Sequence, residues 1–456
     1  MNTGVIKLSH FSVKEYLLST RIEEYFSIDE KTSHSIISKL SITYLLQFDD
    51  DSAPLTEAML EAMPLAQYAA EHWIVHAMSG EMDLNGLQLI LNLFTTGSAP
   101  LTNSIRIYNV DNRGRGKNLS KERAEVCPAL YYSTLAGMKE VSDNLLQRGE
   151  DANAKGGFCG NALQAASLSG NEAIVRLLLE NGAEVNTEGG DYGNALQAAS
   201  CSGNEAIVRL LLEHGAEVNA EGGAYGNALQ AASISGKEAI VRLLLEHGAE
   251  VNAEGGICGN ALQAASISGI EAIVRLLLEN GAEVNAEGGD YGNALQAASY
   301  SGNEAIVRLL LEHGAEMNAE GGYCGNALQA ASIGGNEAIV RLLLENGAEV
   351  NAEGGEYGNA LQAAASWSGN EAIVRLLLEN GAEVNVVGGF FGNALQAASS
   401  SGNEAIVRLL LENRAEVNVV GGFFGNALQA ALSSGNEAIV RLLLENGAEV
   451  NAEEGE

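Results

Sequence analysis

"GNALQAASLSGNEAIVRLLLENGAEVNTEGGDY" runs from Gly160 to Tyr192, and "GNALQAASCSGNEAIVRLLLEHGAEVNAEGGAY" follows from Gly193 to Tyr225. The glycine that opens this unit recurs at 160, 193, 226, 259, 292, 325, 358, 392 and 425, always 33 residues on except for one step of 34. A fixed period of this size marks an array of stacked units, so the 456-residue length does not translate into a count of globular domains. A divergent copy, "PALYYSTLAGMKEVSDNLLQRGEDAN" (Pro128–Asn153), lies one period earlier and brings the array to about ten repeats over residues 127–456.

Each unit reads as helix, turn, helix, loop. Asn161 with Gln164 fits a capping box and starts the first helix near Ala162, and Gly170 ends it. The second helix spans Glu172 to Asn181, with Gly182 as a left-handed cap. Glu172, Arg176 and Glu180 stand at i, i+4 and i+8 and can pair along the exposed stripe. The rest of that helix, "AIV" and "LLL", is apolar around most of its circumference, so it needs neighbours on both sides. In "LQAAASWSG" (Leu361–Gly369) the extra residue of the 34-residue unit predicts a π-bulge or a lengthened turn.

Composition narrows the function classes. Apolar residues make up 46%, enough for a packed core, and no run approaches the ~18 residues of a membrane helix. The start "MNTGVIKLSHF" lacks the apolar stretch of a signal peptide, so the expectation is a cytoplasmic protein, with the nucleus as the alternative. The net charge is −34, and residues 127–456 hold 14 Lys and Arg against 43 Asp and Glu. Such a surface repels phosphate and attracts basic partners, which argues against nucleic acid at the repeats. The five cysteines, at 127, 159, 201, 258 and 324, are expected to be free thiols, since repeat spacing of roughly 8–10 Å exceeds disulfide reach.

The unit resembles the ankyrin repeat in its period, its two helices, its "GAEVN" segment and its "NALQ" (Asn161–Gln164) where the family has T-P-L-H. The resemblance implies an all-α ankyrin solenoid of about ten helix-turn-helix repeats that binds other proteins without catalysis. Ahead of it, "HFSVKEYLLS" (His10–Ser19) and "PLAQYAAEHWIVHA" (Pro64–Ala77) resemble segments that join a NACHT-type NTPase module to ankyrin repeats in fungal sensor proteins. That resemblance implies a winged-helix remnant over 1–20 and a mainly helical linker domain over 21–95 that caps the array. A short strand at Val5–Leu8 and a helix opened by Ser12 and Glu15 fit the first, and helical spacing at 33–47, 65–78 and 84–95 fits the second. No G-x-x-x-x-G-K-[ST] motif is present, so the NTPase core is absent from this chain. Residues 96–126, with the basic stretch "DNRGRGKNLSKER", read as a loop.

Catalytic and metal chemistry find little support. His72 and His76 share a helix face beside Glu71 but have no third ligand motif, and they read as ordinary helix residues. His214, His247 and His313 alternate with Asn181, Asn280 and Asn346 at one repeat position, which suits a side chain that bonds the carbonyls of a helix end. Neither an enzyme activity nor a cofactor is expected.

What varies among the copies is informative. "EAIVRLLLE" is identical in nine of them. Variation gathers at one first-helix position (Leu168, Cys201, Ile234, Ile267, Tyr300, Ile333, Trp367, Ser400, Ser433) and two residues before the opening glycine (Phe158, Asp191, Ala224, Ile257, Asp290, Tyr323, Glu356, Phe390, Phe423). The residue after the second set is always Cys, Tyr or Phe, which reads as a packing anchor. By the family resemblance, the first helix and hairpin tip line the ligand-facing side. The expected contacts with a protein or peptide of basic character are therefore Leu168, Asp191, Ile234, Ile257, Ile267, Asp290, Tyr300, Tyr323, Ile333, Glu356, Trp367, Phe390 and Phe423. The alternatives are a scaffold or adaptor unrelated to sensing, and a gene fragment without present function. The last unit keeps its apolar helix faces, which predicts greater exposure of Val440, Leu443 and Leu444 than of Val175, Leu178 and Leu179, or end-to-end self-association.

Overall fold

The computed structural model describes residues 29–50, 55–111 and 117–450, apart from the side chains of Trp367 and Ser368. The strand and helix expected within residues 1–20 lie outside the described residues. The chain is mainly helical and divides into two compact units, up to Asp191 and from Tyr192 onward. This boundary differs from the one expected near residue 126.

The first unit opens with α1 (Glu30–Leu45), α2 (Glu57–Ala62), α3 (Ala66–Ser79), α4 (Leu84–Leu93) and α5 (Ala99–Ile107). Short polar side chains start most of them. Asp29, Asp83 and Ser98 each accept from a backbone N–H three residues on, satisfying an otherwise orphaned donor. Helix α1 packs against α3 and α4, and buried Trp73 meets Phe94 edge to face at 5.4 Å. Helix α5 corrects the expected loop over 96–126. Ser98 caps it, Pro100 sits where its missing N–H costs nothing, and Leu101, Ile105 and Ile107 are buried.

The first two repeats complete this unit. They comprise α6 (Ala129–Leu135), α7 (Lys139–Gln147), a hairpin of β1 (Lys155–Gly156) and β2 (Gly160–Asn161), α8 (Ala162–Ser169) and α9 (Glu172–Glu180). Helix α4 packs on α7, and the Tyr131 hydroxyl donates to Asp111, so the preceding helices join the first repeat. That contact explains why the compact unit does not end at residue 126.

The second unit repeats one motif eight times. First helices such as Ala195–Ser202 and Ala228–Ile234 pack on one another, and second helices such as Glu205–Glu213 and Glu238–Glu246 form a parallel row. Nine-residue helices are marginal alone in water, so packing must hold them. Ile207, Val208 and Leu211 are fully buried, each contributing ~1.5–3 kcal/mol relative to exposure. Arg209 pairs with Glu205 at 2.7 Å, and the same i,i+4 pair recurs in every second helix of this unit, toward the N-terminal glutamate only. These half-exposed pairs add ~0.3–0.5 kcal/mol each.

The reciprocal cap expected from N-x-x-Q forms, and the glutamine does more. In the fourth "GN" copy Asn260 N donates to Gln263 Oε1, and Gln263 N donates to Asn260 Oδ1. Gln263 Nε2 then donates to the carbonyl of Ala286 near the end of its own copy and to that of Gly292, which opens the next repeat. Asn252 forms a second link, donating to Gly281 O and accepting from Glu283 N. The hairpin closes between glycines, with Gly255 N donating to Gly259 O at 2.7 Å. Gly256 (φ 61°) lies so close to the preceding hairpin that an added Cβ would sit 2.4 Å from the carbonyl carbon of Tyr225.

The 34-residue copy absorbs its extra residue as predicted. A short α-helix (Ala360–Ala363) passes into a π-helical turn at Ala364–Ser368, and the following helix Glu371–Glu379 has the usual length. At the last repeat the expected exposure holds for two of three side chains. Val440 is half-buried where Val175 is fully buried, and Leu444 is 42% exposed where Leu179 is half-buried, but Leu443 is as buried as Leu178.

Candidate functional site

The variable residues before the opening glycines occupy the hairpin tips, and the tips are joined directly. In the first unit Asp191 N donates to Phe158 O. In the second unit Ile257 N donates to Ala224 O, Asp290 N to Ile257 O, Tyr323 N to Asp290 O, Glu356 N to Tyr323 O, Phe390 N to Glu356 O and Phe423 N to Phe390 O, all within 2.8–3.1 Å. Because consecutive tips share a backbone bond, their side chains fall in a row. The row passes through the 34-residue copy without a break, since the π-helical turn confines the extra residue to the first helix.

Behind each tip lies the Cys, Tyr or Phe read as an anchor. Cys258 and Cys324 are buried, and Tyr225, Tyr291, Tyr357, Phe391 and Phe424 are half-buried. Their rings run from repeat to repeat, with Tyr357 and Phe391, then Phe391 and Phe424, stacked at 6.3 Å. Burial pushes the Cys258 and Cys324 thiols up to about 11, as it does Cys159 in the first unit, so these sulfurs are packing atoms and not nucleophiles at neutral pH. All five cysteines are free.

The two sets of candidate contacts differ in accessibility. Tip residues Asp191, Ile257, Asp290, Glu356, Phe390 and Phe423 are exposed, and Tyr323 is half-buried. First-helix residues Leu168, Ile234, Ile267 and Tyr300 are half-buried. Ile333 is only 3% exposed and packs with Cys324, Ala330 and Ala363 beneath Tyr300 and Tyr323, so it supports the surface from below. The backbone of Trp367 lies in the π-helical turn, and its side chain is outside the described part of the structure. The hairpin tips therefore form the accessible part of the candidate surface, and the first-helix positions its half-buried flank.

The described histidines have structural partners. Nδ1 of His214, His247 and His313 each lies 2.8 Å from the carbonyl four residues earlier, the same bond that Asn280 makes to Leu276 at 2.7 Å. The Asn–His alternation is thus an exchange of equivalent helix-end donors. In the first unit His76 lies between His34 (Nδ1 to Nδ1, 2.7 Å) and the Tyr68 hydroxyl, and burial with the neighbouring His34 and His72 holds its pKa below the usual imidazole value. Among the described residues no group of three or more His, Cys, Asp or Glu side chains could hold a metal, and no helix is long and apolar enough to cross a membrane.

Comparison with known proteins gives two findings. The family model described as "Ankyrin repeats (3 copies)" matches residues 130–222, 188–255, 229–321, 295–388 and 361–454. A curated protein of Monascus ruber, "Azaphilone pigments biosynthesis cluster protein L", is 35% identical over 176 residues, 35% of this chain. The match spans only 37% of that protein's length.

Proposed function

The chain belongs to the ankyrin-repeat family, and from that premise we propose that it is a non-catalytic recognition module whose hairpin tips and adjoining first-helix residues engage a protein or peptide partner of basic character. The observation that carries this reading is the division of labour among the copies. The helix "EAIVRLLLE" is the same in all nine "GN" copies, while the residues that do change include a row of solvent-exposed tips linked by backbone bonds. A rigid frame with variable exposed anchors suits recognition, because little conformational entropy remains to be lost on binding. The excess of carboxylates favours a cationic partner and speeds its approach at low ionic strength.

The finer reading is that the module serves as the ligand-sensing arm of a NACHT–ankyrin-type sensor in the cytoplasm. The likeness of His10–Ser19 and Pro64–Ala77 to the joining segments of such sensors supports it. An adaptor unrelated to sensing is the competing reading, and a P-loop NTPase encoded upstream in the intact gene would separate the two. The binding reading is tested by combining Tyr300→Ala, Trp367→Ala, Phe390→Ala and Phe423→Ala and comparing partner capture with the unaltered chain. Capture should be lost while the helical circular dichroism persists, since hot-spot aromatics contribute ~2 kcal/mol or more each. Undiminished capture refutes this assignment of the surface.

A further inference from the structure

The hairpin edge of the second unit changes chemistry along its length. Three residues before each tip, Glu221, Glu254, Glu287, Glu320 and Glu353 stand in five successive copies, all exposed and, among the described residues, none in an ion pair. The arginines of these repeats do not neutralise them, because each is paired with the glutamate four residues back on its own helix. In the last two hairpins the same position is Val387 and Val420, 50% and 46% exposed. The tips change with them. Phe390 and Phe423 are 41% and 71% exposed, with rings stacked 4.9 Å apart at 15°. Val387 also reaches the next hairpin, since a Cβ built on Gly421 would meet its Cγ1 at 3.1 Å. Four apolar side chains on two adjoining hairpins thus make one patch at the end of a carboxylate row.

Resting on the recognition reading above, we propose that this edge takes a single extended polypeptide segment of two-part character, Lys- and Arg-rich where it follows the glutamates and aromatic or aliphatic where it reaches Val387, Phe390, Val420 and Phe423. Charge complementarity selects the first part, and removal of apolar surface from water drives the second. Phosphate-bearing ligands are repelled by the row. The order is fixed, because the backbone bonds between tips hold the carboxylates on the N-terminal side of the patch.

The array itself supplies a variant that should leave the fold intact. Val387→Glu, Val420→Glu, Phe390→Asp and Phe423→Asp place at each position a residue that sister copies already carry, as at Glu353 and Asp290. A displayed library of random peptides of about 16 residues, long enough in extended form to follow several tips, is selected on the full chain and on this variant. Selected peptides are then measured by fluorescence anisotropy at two salt concentrations. The expected result is a set of peptides with a basic block and an apolar block in constant order, binding the variant about tenfold or more weakly. Glu254→Gln, Glu287→Gln and Glu320→Gln together should weaken the same peptides and flatten their salt dependence. Peptides that bind both proteins equally, or whose two blocks occur in either order, overturn the proposal while leaving the chain a peptide binder. Peptides displaced only by changes at Tyr300 and the first-helix positions do the same. A concentration-dependent dimer that the four-residue variant abolishes assigns the patch to a second copy and overturns it too. Failure to select any peptide on the unaltered chain overturns the proposal, and only if the partner-capture assay also fails does the recognition reading fall.

Discussion

Gln263 Nε2 lies 2.8 Å from the carbonyl oxygen of Gly292 in the next repeat, while its Oε1 accepts from Asn260 N at 2.7 Å in its own. One buried amide therefore closes a helix cap and couples two repeats. Gln263→Leu removes both roles and strands the Asn260 N–H and the Ala286 carbonyl, while Gly292 O keeps its bond from Gly288 N, at ~1–3 kcal/mol for each group left unsatisfied. The expected loss is about 3 kcal/mol in urea unfolding. Gln429, whose Oε1 is buried without a partner, provides the comparison. Gln429→Leu should cost under ~1 kcal/mol, and equal losses from the two variants would show that the inter-repeat bonds contribute little.

Arg414 is the only described non-glycine residue with positive φ, at 67°, and it stands where eight sister copies place glycine after the second helix. A left-handed residue with a Cβ costs ~1–2 kcal/mol, partly offset because glycine has more freedom to lose on folding. Arg414→Gly should therefore raise stability by about 0.5–1 kcal/mol. A lowered midpoint of thermal unfolding would contradict this.

The π-helical turn can be removed by deleting Ala364, which returns the copy to the 33-residue length of its neighbours. The tip bonds Glu356–Tyr323 and Phe390–Glu356 already have ordinary geometry, so nothing downstream depends on the extra residue. Stability should stay within ~0.5 kcal/mol or rise, and the crystal structure of the variant should show an unbroken α-helix. A loss of several kcal/mol would mean that the wide turn is required by its neighbours.

The thiols report on packing. With Cys159, Cys258 and Cys324 raised to about 11 by burial and Cys201 half-exposed, iodoacetamide at pH 8 should modify Cys201 in the native chain and the other three only after unfolding. The same shifts carry a sign for stability. A folded-state value above the ordinary thiol value of 9.0 means that the folded chain holds protons which the unfolded chain releases. The contribution is fully present below pH 9 and is lost as pH rises through 11. Replacing these three cysteines with Ala should reduce the decline in stability over that window, and an unchanged alkaline slope would contradict the assignment.

The helices, their caps and the π-helical turn were legible because nine near-identical copies expose any departure from the common pattern. The second role of Gln263 was hidden, since its acceptors lie 23 and 29 residues away, the second of them in the next copy. The half-burial of Ile234 and the full burial of Ile333 were hidden for a related reason. Whether a first-helix side chain faces solvent depends on the residues beside it in the neighbouring repeat, and Tyr300 and Tyr323 of the preceding copy cover Ile333. Helix α5 was missed because "TTGSAP" (Thr95–Pro100) looks like loop punctuation, although its serine and proline suit a helix start. The apolar end of the hairpin edge was half visible. Phe390 and Phe423 stood out as variable tips, while the exchange of glutamate for Val387 and Val420 gained meaning only once the hairpins lay side by side.

The links between successive interior copies use the same atoms, namely the glutamine amide, the asparagine of the "EVN" segment and the tip peptide group. A copy therefore meets any other copy as it meets its present neighbour. Recombination between the near-identical coding segments could add or remove whole units, and each resulting protein would still have its frame bonds satisfied. The lineage can thus lengthen, shorten or reorder its row of tips in one genetic step, and selection can act on the new order of charged and apolar positions before any point mutation is needed.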